Sequence, residues 1–272
     1  ENVYNWIDIN TEEADTINFE TNDDGQLIDI GLDFKFYGQS YNQLVVNPNG
    51  WIGFGEDSYS YFNRPLPDDE APLNAIFGFW DDLNPAGNIN DNPTCSNSPE
   101  GYVYHQSFEN AEVIWFNDVV RCGSNPDYAA VLDFQIVLHK DQRIDINYRS
   151  MDGYLNSGTI GIQNADASDA IQVIYNDPYA HNDLTLSFKP LADWVNPIYD
   201  EQQLSYLEQE SYEIIVDGNL IESDSDISYL IINSNSIIPQ VIIPISVEYA
   251  DEPGLTGDIN GDDIVNILDV VV

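Results

Sequence analysis

Basic residues are scarce in this chain: Lys and Arg number 7 against 48 Asp and Glu, a formal net charge of -41 over 272 residues. The last of them is Lys189, so the final 83 residues hold none. Without a basic patch to displace counterions from phosphate, such a surface repels nucleic acid and anionic membranes. Salt relieves the self-repulsion, with a screening length of about 8 Å at physiological ionic strength. Bound calcium would do the same, and a marine or halophilic bacterial source fits that need. No run of about 18 apolar residues occurs, so nothing is expected to insert into a membrane. Glu1 opens directly into Tyr4-Asn5-Trp6, with no signal-peptide pattern. The chain therefore reads as a segment of a longer, secreted or cell-surface protein.

Cysteine is nearly absent too. Cys95 and Cys122 are the only two, with 26 residues between them, each in a polar, turn-rich stretch. In an oxidising compartment they could close a loop worth about 3–4 kcal/mol; the alternative is two unrelated thiols. No CxxC or Cys/His spacing suggests zinc. Catalytic signatures are missing as well: there is no GxSxG, HExxH or GxxxxGK[ST]. His105, His139 and His181 fall in different predicted elements, which suits surface or structural roles better than a triad. Carboxylates are so abundant that a glycosidase-type pair cannot be told from background. The expectation is a chain without an active site.

Against those absences stand 43% hydrophobic and 12% aromatic residues, too many for a solvated acidic tail. Residues 1–190 read as one all-β unit, a large antiparallel β-sandwich. In Ala130–Leu138, Leu132, Phe134, Ile136 and Leu138 share a face; in Arg143–Tyr148, Ile144, Ile146 and Tyr148 do. The polar run His139–Gln142 between them predicts a hairpin. A second hairpin is expected between 101–108 and 111–116. Shorter strands fit 31–37, 43–46, 51–54, 75–80, 158–163 and 184–188. Asn49-Gly50 is a turn dipeptide that admits positive φ. Phe34, Phe36, Tyr37, Phe54 and Trp80 are candidates for the core or, alternatively, for a sugar platform. Asp81 and Asp82, at a strand end, could bind a calcium ion, cap a turn or stay solvated. From about Leu191 the texture changes, and 194–198, 211–216, 227–235 and 239–247 predict a small Ig-like β-sandwich over 191–250.

Three ordered runs carry a family resemblance. Leu32-Asp33-Phe34-Lys35-Phe36-Tyr37-Gly38, Val46-Asn47-Pro48-Asn49-Gly50-Trp51-Ile52-Gly53-Phe54-Gly55 and Ala75–Asn84, followed by Thr159–Ala165, resemble the core of nidogen-like extracellular domains. That resemblance implies adhesion or matrix association rather than catalysis. The pattern Trp194, then Ile232-Asn233-Ser234-Asn235, then Val241–Val247 is similar to bacterial Ig-like modules of the BACON type, which implies a spacer or a glycan binder.

The most specific stretch is the last, Gly257–Val272. Asp258, Asn260 and Asp262 alternate, Asn266 stands at the ninth place and Asp269 at the twelfth. This is the ligand spacing of an EF-hand-type calcium loop, with the Ile264 carbonyl as backbone ligand. Glycine is usual at the sixth place; Asp263 stands there, a residue type that tolerates the left-handed region. The alternative is an acidic tail with fortuitous spacing. The stretch resembles a dockerin type I repeat over 251–272, ending at the start of its helix. The resemblance implies ligation by Asp258, Asn260, Asp262, Ile264 and Asp269, with Asn266 direct or through water, and a cohesin-like partner. The function expected is non-catalytic binding or attachment in a secreted multidomain protein, glycan and matrix protein being candidate ligands. The alternatives are the accessory region of a secreted glycoside hydrolase or peptidase, and a structural surface protein.

Overall fold

A computed structural model describes residues 4–55, 60–85, 101–121, 126–190, 194–195, 214–218, 225–233 and 240–248. The chain divides into two compact units, Glu1–Lys189 and Pro190–Val272. In the first, the strands are β1 (Asp15–Ile17), β2 (Gln26–Phe36), β3 (Gln39–Asn47), β4 (Trp51–Gly53), β5 (Ala75–Trp80), β6 (Leu83–Asn84) and β7 (Tyr102–Ser107). They continue with β8 (Ala111–Arg121), β9 (Ala130–His139), β10 (Ile144–Gly153), β11 (Thr159–Gln163), β12 (Ala170–Tyr175) and β13 (Leu184–Phe188). The second unit contributes β14 (Ser225–Asn233) and β15 (Gln240–Glu248), an antiparallel pair. Among the described residues of the first unit the helical element is a 3-10 turn, Pro126–Tyr128.

The first unit is a two-sheet antiparallel sandwich. One sheet runs β1-β7-β8-β9-β10-β13 with β6 added on β8; the other runs β12-β11-β5-β4-β3-β2. Both predicted hairpins form, with Ile144 opposite Leu138 and Ser107 opposite Glu112. The alternation read from 130–148 is the packing: Leu132, Phe134, Ile136, Leu138, Ile144, Ile146 and Tyr148 all join the inter-sheet core. There they meet Phe34, Phe36, Ile52, Phe54 and Ile76 from the opposite sheet. At about 25 cal/mol per Å² of buried apolar surface, this layer is the main stabilising term. The Phe116 and Phe134 rings stack at 4.7 Å.

Two glycines are demanded by close approach. Gly50 has φ +82°, and a Cβ there would lie 2.1 Å from the Phe79 carbonyl oxygen. On Gly78 a Cβ would lie 2.5 Å from the Phe134 ring, so only glycine lets β5 approach β9 across the core. The Gly78 carbonyl accepts a bond from the Tyr148 hydroxyl at 2.6 Å, which ties the two sheets together.

Both outer faces carry a strap of chain, which is why β5, β8 and β9 are buried on both sides. Over one sheet, Ile7 and Ile9 pack on Ala111, Val113 and Val137. The Gln135 amide there brackets Ile7, accepting from its N–H at 3.0 Å and donating to its carbonyl at 2.9 Å. Over the other, Leu66 and Ala71 close a second cluster with Trp51, Phe77 and Trp80. The Trp80 indole donates to the Ser60 carbonyl, and Gln163 accepts from the Asp68 N–H.

Of the five aromatics expected in the core, Phe34, Phe36 and Phe54 are there. Trp80 is fully buried but beneath the outer strap. Tyr37 is a correction: it sits in the β2–β3 turn at φ 45°, 39% exposed. Three strands lie outside those predicted: β1 and β6, of 3 and 2 residues, and the half-exposed β12.

Candidate functional site

The proposed calcium ligands Asp258, Asn260, Asp262, Ile264, Asn266 and Asp269 lie outside the described residues, as do Cys95 and Cys122. Among the described residues no group of three or more His, Cys, Asp or Glu side chains is arranged to hold a metal ion. The acidic pair Asp81–Asp82 can be followed. It closes β5 at the end where Asn47 and Asn49 turn between β3 and β4. The Asn49 amide oxygen accepts from the Leu83 N–H at 2.9 Å, and its nitrogen donates to the Asp23 carboxylate at 3.2 Å. Asp81 is buried and occupied: one oxygen accepts the Asp82 N–H, the other the Arg121 Nε–H and the Ser157 hydroxyl, both at 2.5 Å. That is a capping role. Among the described residues no side chain or N–H donates to Asp82 in this way. Burial first, then the Asp23 and Asp81 carboxylates, push its pKa up to about 6, with Arg121 opposing. Asp23 is also raised, by burial, with the Asn49 amide opposing.

The sandwich interior holds one carboxylate that sequence reading missed. Glu112 shares the inward parity of Ile114 and Phe116 and is 0% exposed. It accepts from the Gly31 N–H at 2.5 Å and the Ser107 hydroxyl at 2.7 Å, and bonds the His105 Nε2 at 2.9 Å. Ser, His and Glu thus meet, but in the wrong order for nucleophilic catalysis, which needs the imidazole between hydroxyl and carboxylate. Here the carboxylate is in the middle. With Gly31 on β2 and Glu112 on β8, the cluster is a clamp between the sheets. An acid at a core-parity position was the signal available in the sequence.

At the same end of β8, β9 and β10 as Glu112 lies a second carboxylate, Asp145. Its oxygens take the His139 Nε2 at 2.9 Å, the Ser187 hydroxyl at 2.7 Å and the Arg143 guanidinium. Burial pushes its pKa up, but those three partners outweigh burial and hold it at about 2. Beside it opens a cavity of ≈ 350 Å³ lined by Tyr4, Asn5, Arg143, Thr185, Ser187 and Lys189. The third histidine, His181, is exposed.

A family model described as NIDO related matches residues 2–193, which spans the whole sandwich. The chain belongs to the NIDO-related family. Comparison with curated proteins and with solved structures finds no match. The resemblance to nidogen-like domains therefore holds at the level of this family.

Within the NIDO-related sandwich, the buried polar groups serve architecture: Asp81 caps, Glu112 clamps and Gln135 holds a strap. The outer face of β8–β10 adds Arg149, whose guanidinium lies 4.5 Å from the Trp6 ring and 4.8 Å from Trp115 while bonding Asp133. Trp115 donates its indole N–H to the same Asp133. This nests the N-terminal strap against the sheet; it offers no reactive atom. Among the described residues no helix is long and apolar enough to cross a membrane.

Proposed function

We propose that this chain is a non-catalytic attachment segment of an exported multidomain protein. Its NIDO-related sandwich supplies the binding surface, and its C-terminal loop supplies calcium-dependent attachment to a cohesin-like partner. The observation that carries the reading is the family match over residues 2–193, which covers a sandwich whose buried polar side chains are committed to structure. The loop rests on its ligand spacing, Asp258, Asn260, Asp262, Ile264, Asn266 and Asp269. The intervening segment, 191–250, acts as an Ig-like spacer in this reading.

Calorimetric calcium titration of the intact chain and of a chain lacking 251–272 tests the loop. One binding event is expected in the first and none in the second. An unchanged calcium isotherm after deletion would remove the loop from the proposal. Attachment itself is tested by binding of the intact chain to glycan and matrix-protein arrays, with and without a chelator.

A further inference from the structure

The loop between β1 and β2 is anchored at both ends and clipped in the middle. Before it, Phe19 packs against the inter-sheet core; after it, Gln26 pairs with Val46 on β3. Residues 21–25 between them are held to the end of β3 and the β3–β4 turn by two side-chain amides. Asn47 donates to the Asp23 carbonyl at 3.0 Å. The Asn49 nitrogen donates to the Asn22 carbonyl at 3.3 Å and to the Asp23 carboxylate at 3.2 Å. Thr21 bonds within the loop, its hydroxyl accepting the Asp23 and Asp24 N–H groups and donating to the Asp24 carboxylate. The segment thus keeps its own shape, and neutral amide donors attach it to the sandwich.

That attachment brings carboxylates together. The Asn49 amide that holds Asp23 also accepts the Leu83 N–H at 2.9 Å, so one side chain links Asp23 to the residue next to Asp82. Burial raises the proton affinity of Asp82 first, the Asp23 charge next and the Asp81 charge after it, with Arg121 opposing. The Arg121 guanidinium is committed to Asp81 and to the Tyr128 carbonyl. On the loop side Asp24 adds its own negative charge to that of Asp23. We propose that segment 21–25 is a pH-operated latch, closed on Asn47 and Asn49 while Asp82 is protonated and released when Asp23 and Asp82 are both ionised. The repulsion acts on the loop because Asp82 sits between two strands, β5 and β6, whereas Asp23 rides on the clipped segment. Release moves Asp23 and Asp24 away from Asp82 and admits water, which removes both causes of its high proton affinity. Closure is therefore favoured below the ordinary value of 3.8 and weakens as pH rises through about 6, by up to about a hundredfold.

The latch needs no ligand and does not depend on the attachment reading. The test is amide NMR of the intact chain from about pH 4 to about pH 8, with a chelator present so that protons alone act. The backbone amides of 21–25 and the Asn49 side-chain amide are expected to change together, with a midpoint of about 6, toward the shifts and fast motion of a free loop. Amides of Phe134 and Ile136 in the core of β9 stay unchanged, which separates local release from loss of the fold. Asp82→Asn should keep the loop closed up to about pH 8, and Asp23→Asn should lower the midpoint and shrink the change. A loop equally ordered at both ends of the range, a midpoint that survives Asp82→Asn, or melting of β9 along with the loop would each overturn the latch. Should Asp82→Asn not fold, an unmoved midpoint in Asp23→Asn overturns it alone.

Discussion

Asp82 and Asp145 sit toward opposite ends of the same sandwich, both withdrawn from water, and their pKa values move in opposite directions. Asp82 is pushed up to about 6 and Asp145 is held at about 2, from an ordinary value of 3.8. Burial raises both. What separates them is the company: Asp145 takes His139, Ser187 and Arg143, whereas Asp82 faces two more carboxylates, Asp23 and Asp81. In a chain this acidic, location in the fold decides whether a carboxylate stabilises it or strains it.

The consequences for stability have opposite signs. Asp145 binds its proton more weakly in the folded state. Its contribution is present above the ordinary value of 3.8 and is lost as pH falls through about 2. Asp82 binds its proton more tightly when folded. Its contribution is present below 3.8 and is lost as pH rises through about 6.

The largest effect is expected from breaking the Asp145 side. Arg143→Met leaves a buried carboxylate without its guanidinium and should cost about 3 kcal/mol in urea unfolding at pH 7; a loss below 1 kcal/mol would mean that His139 and Ser187 suffice. Ser187→Ala removes a single hydroxyl donor, costs about 1 kcal/mol and lifts the Asp145 titration midpoint, read by carboxylate NMR. The smallest effect, and one of opposite sign, belongs to the other end. Asp82→Asn should be neutral to slightly stabilising at pH 7, and it should flatten the decline in stability between pH 4 and 6. An unchanged pH slope in that variant would assign the decline to another group.

Much of this was legible. The period-2 alternation of Leu132, Phe134, Ile136 and Leu138 places them on one face whatever they meet, and the structure has them there. Asn49-Gly50 announced its turn, and Gly50 carries the positive φ. Other features were not readable because their partners are remote. Trp80 reads as one more core aromatic, yet it is covered by the strap that includes Ser60 and Leu66. Tyr37, in a run of core aromatics, is set in a turn and exposed. The edge strand β12 has a mixed, half-exposed pattern, which leaves little periodicity to detect.

By itself the sequence determined the all-β class, the core-facing residues of its strongest strands and the dominance of negative charge, because alternation and composition are local or global sums that need no pairing. Tertiary structure decided which carboxylate is held ionised by its partners and that Glu112 would clamp Gly31 across 81 residues of chain. Those outcomes depend on which strands lie side by side, and strand order is set by packing over the whole unit rather than by any stretch of residues within it.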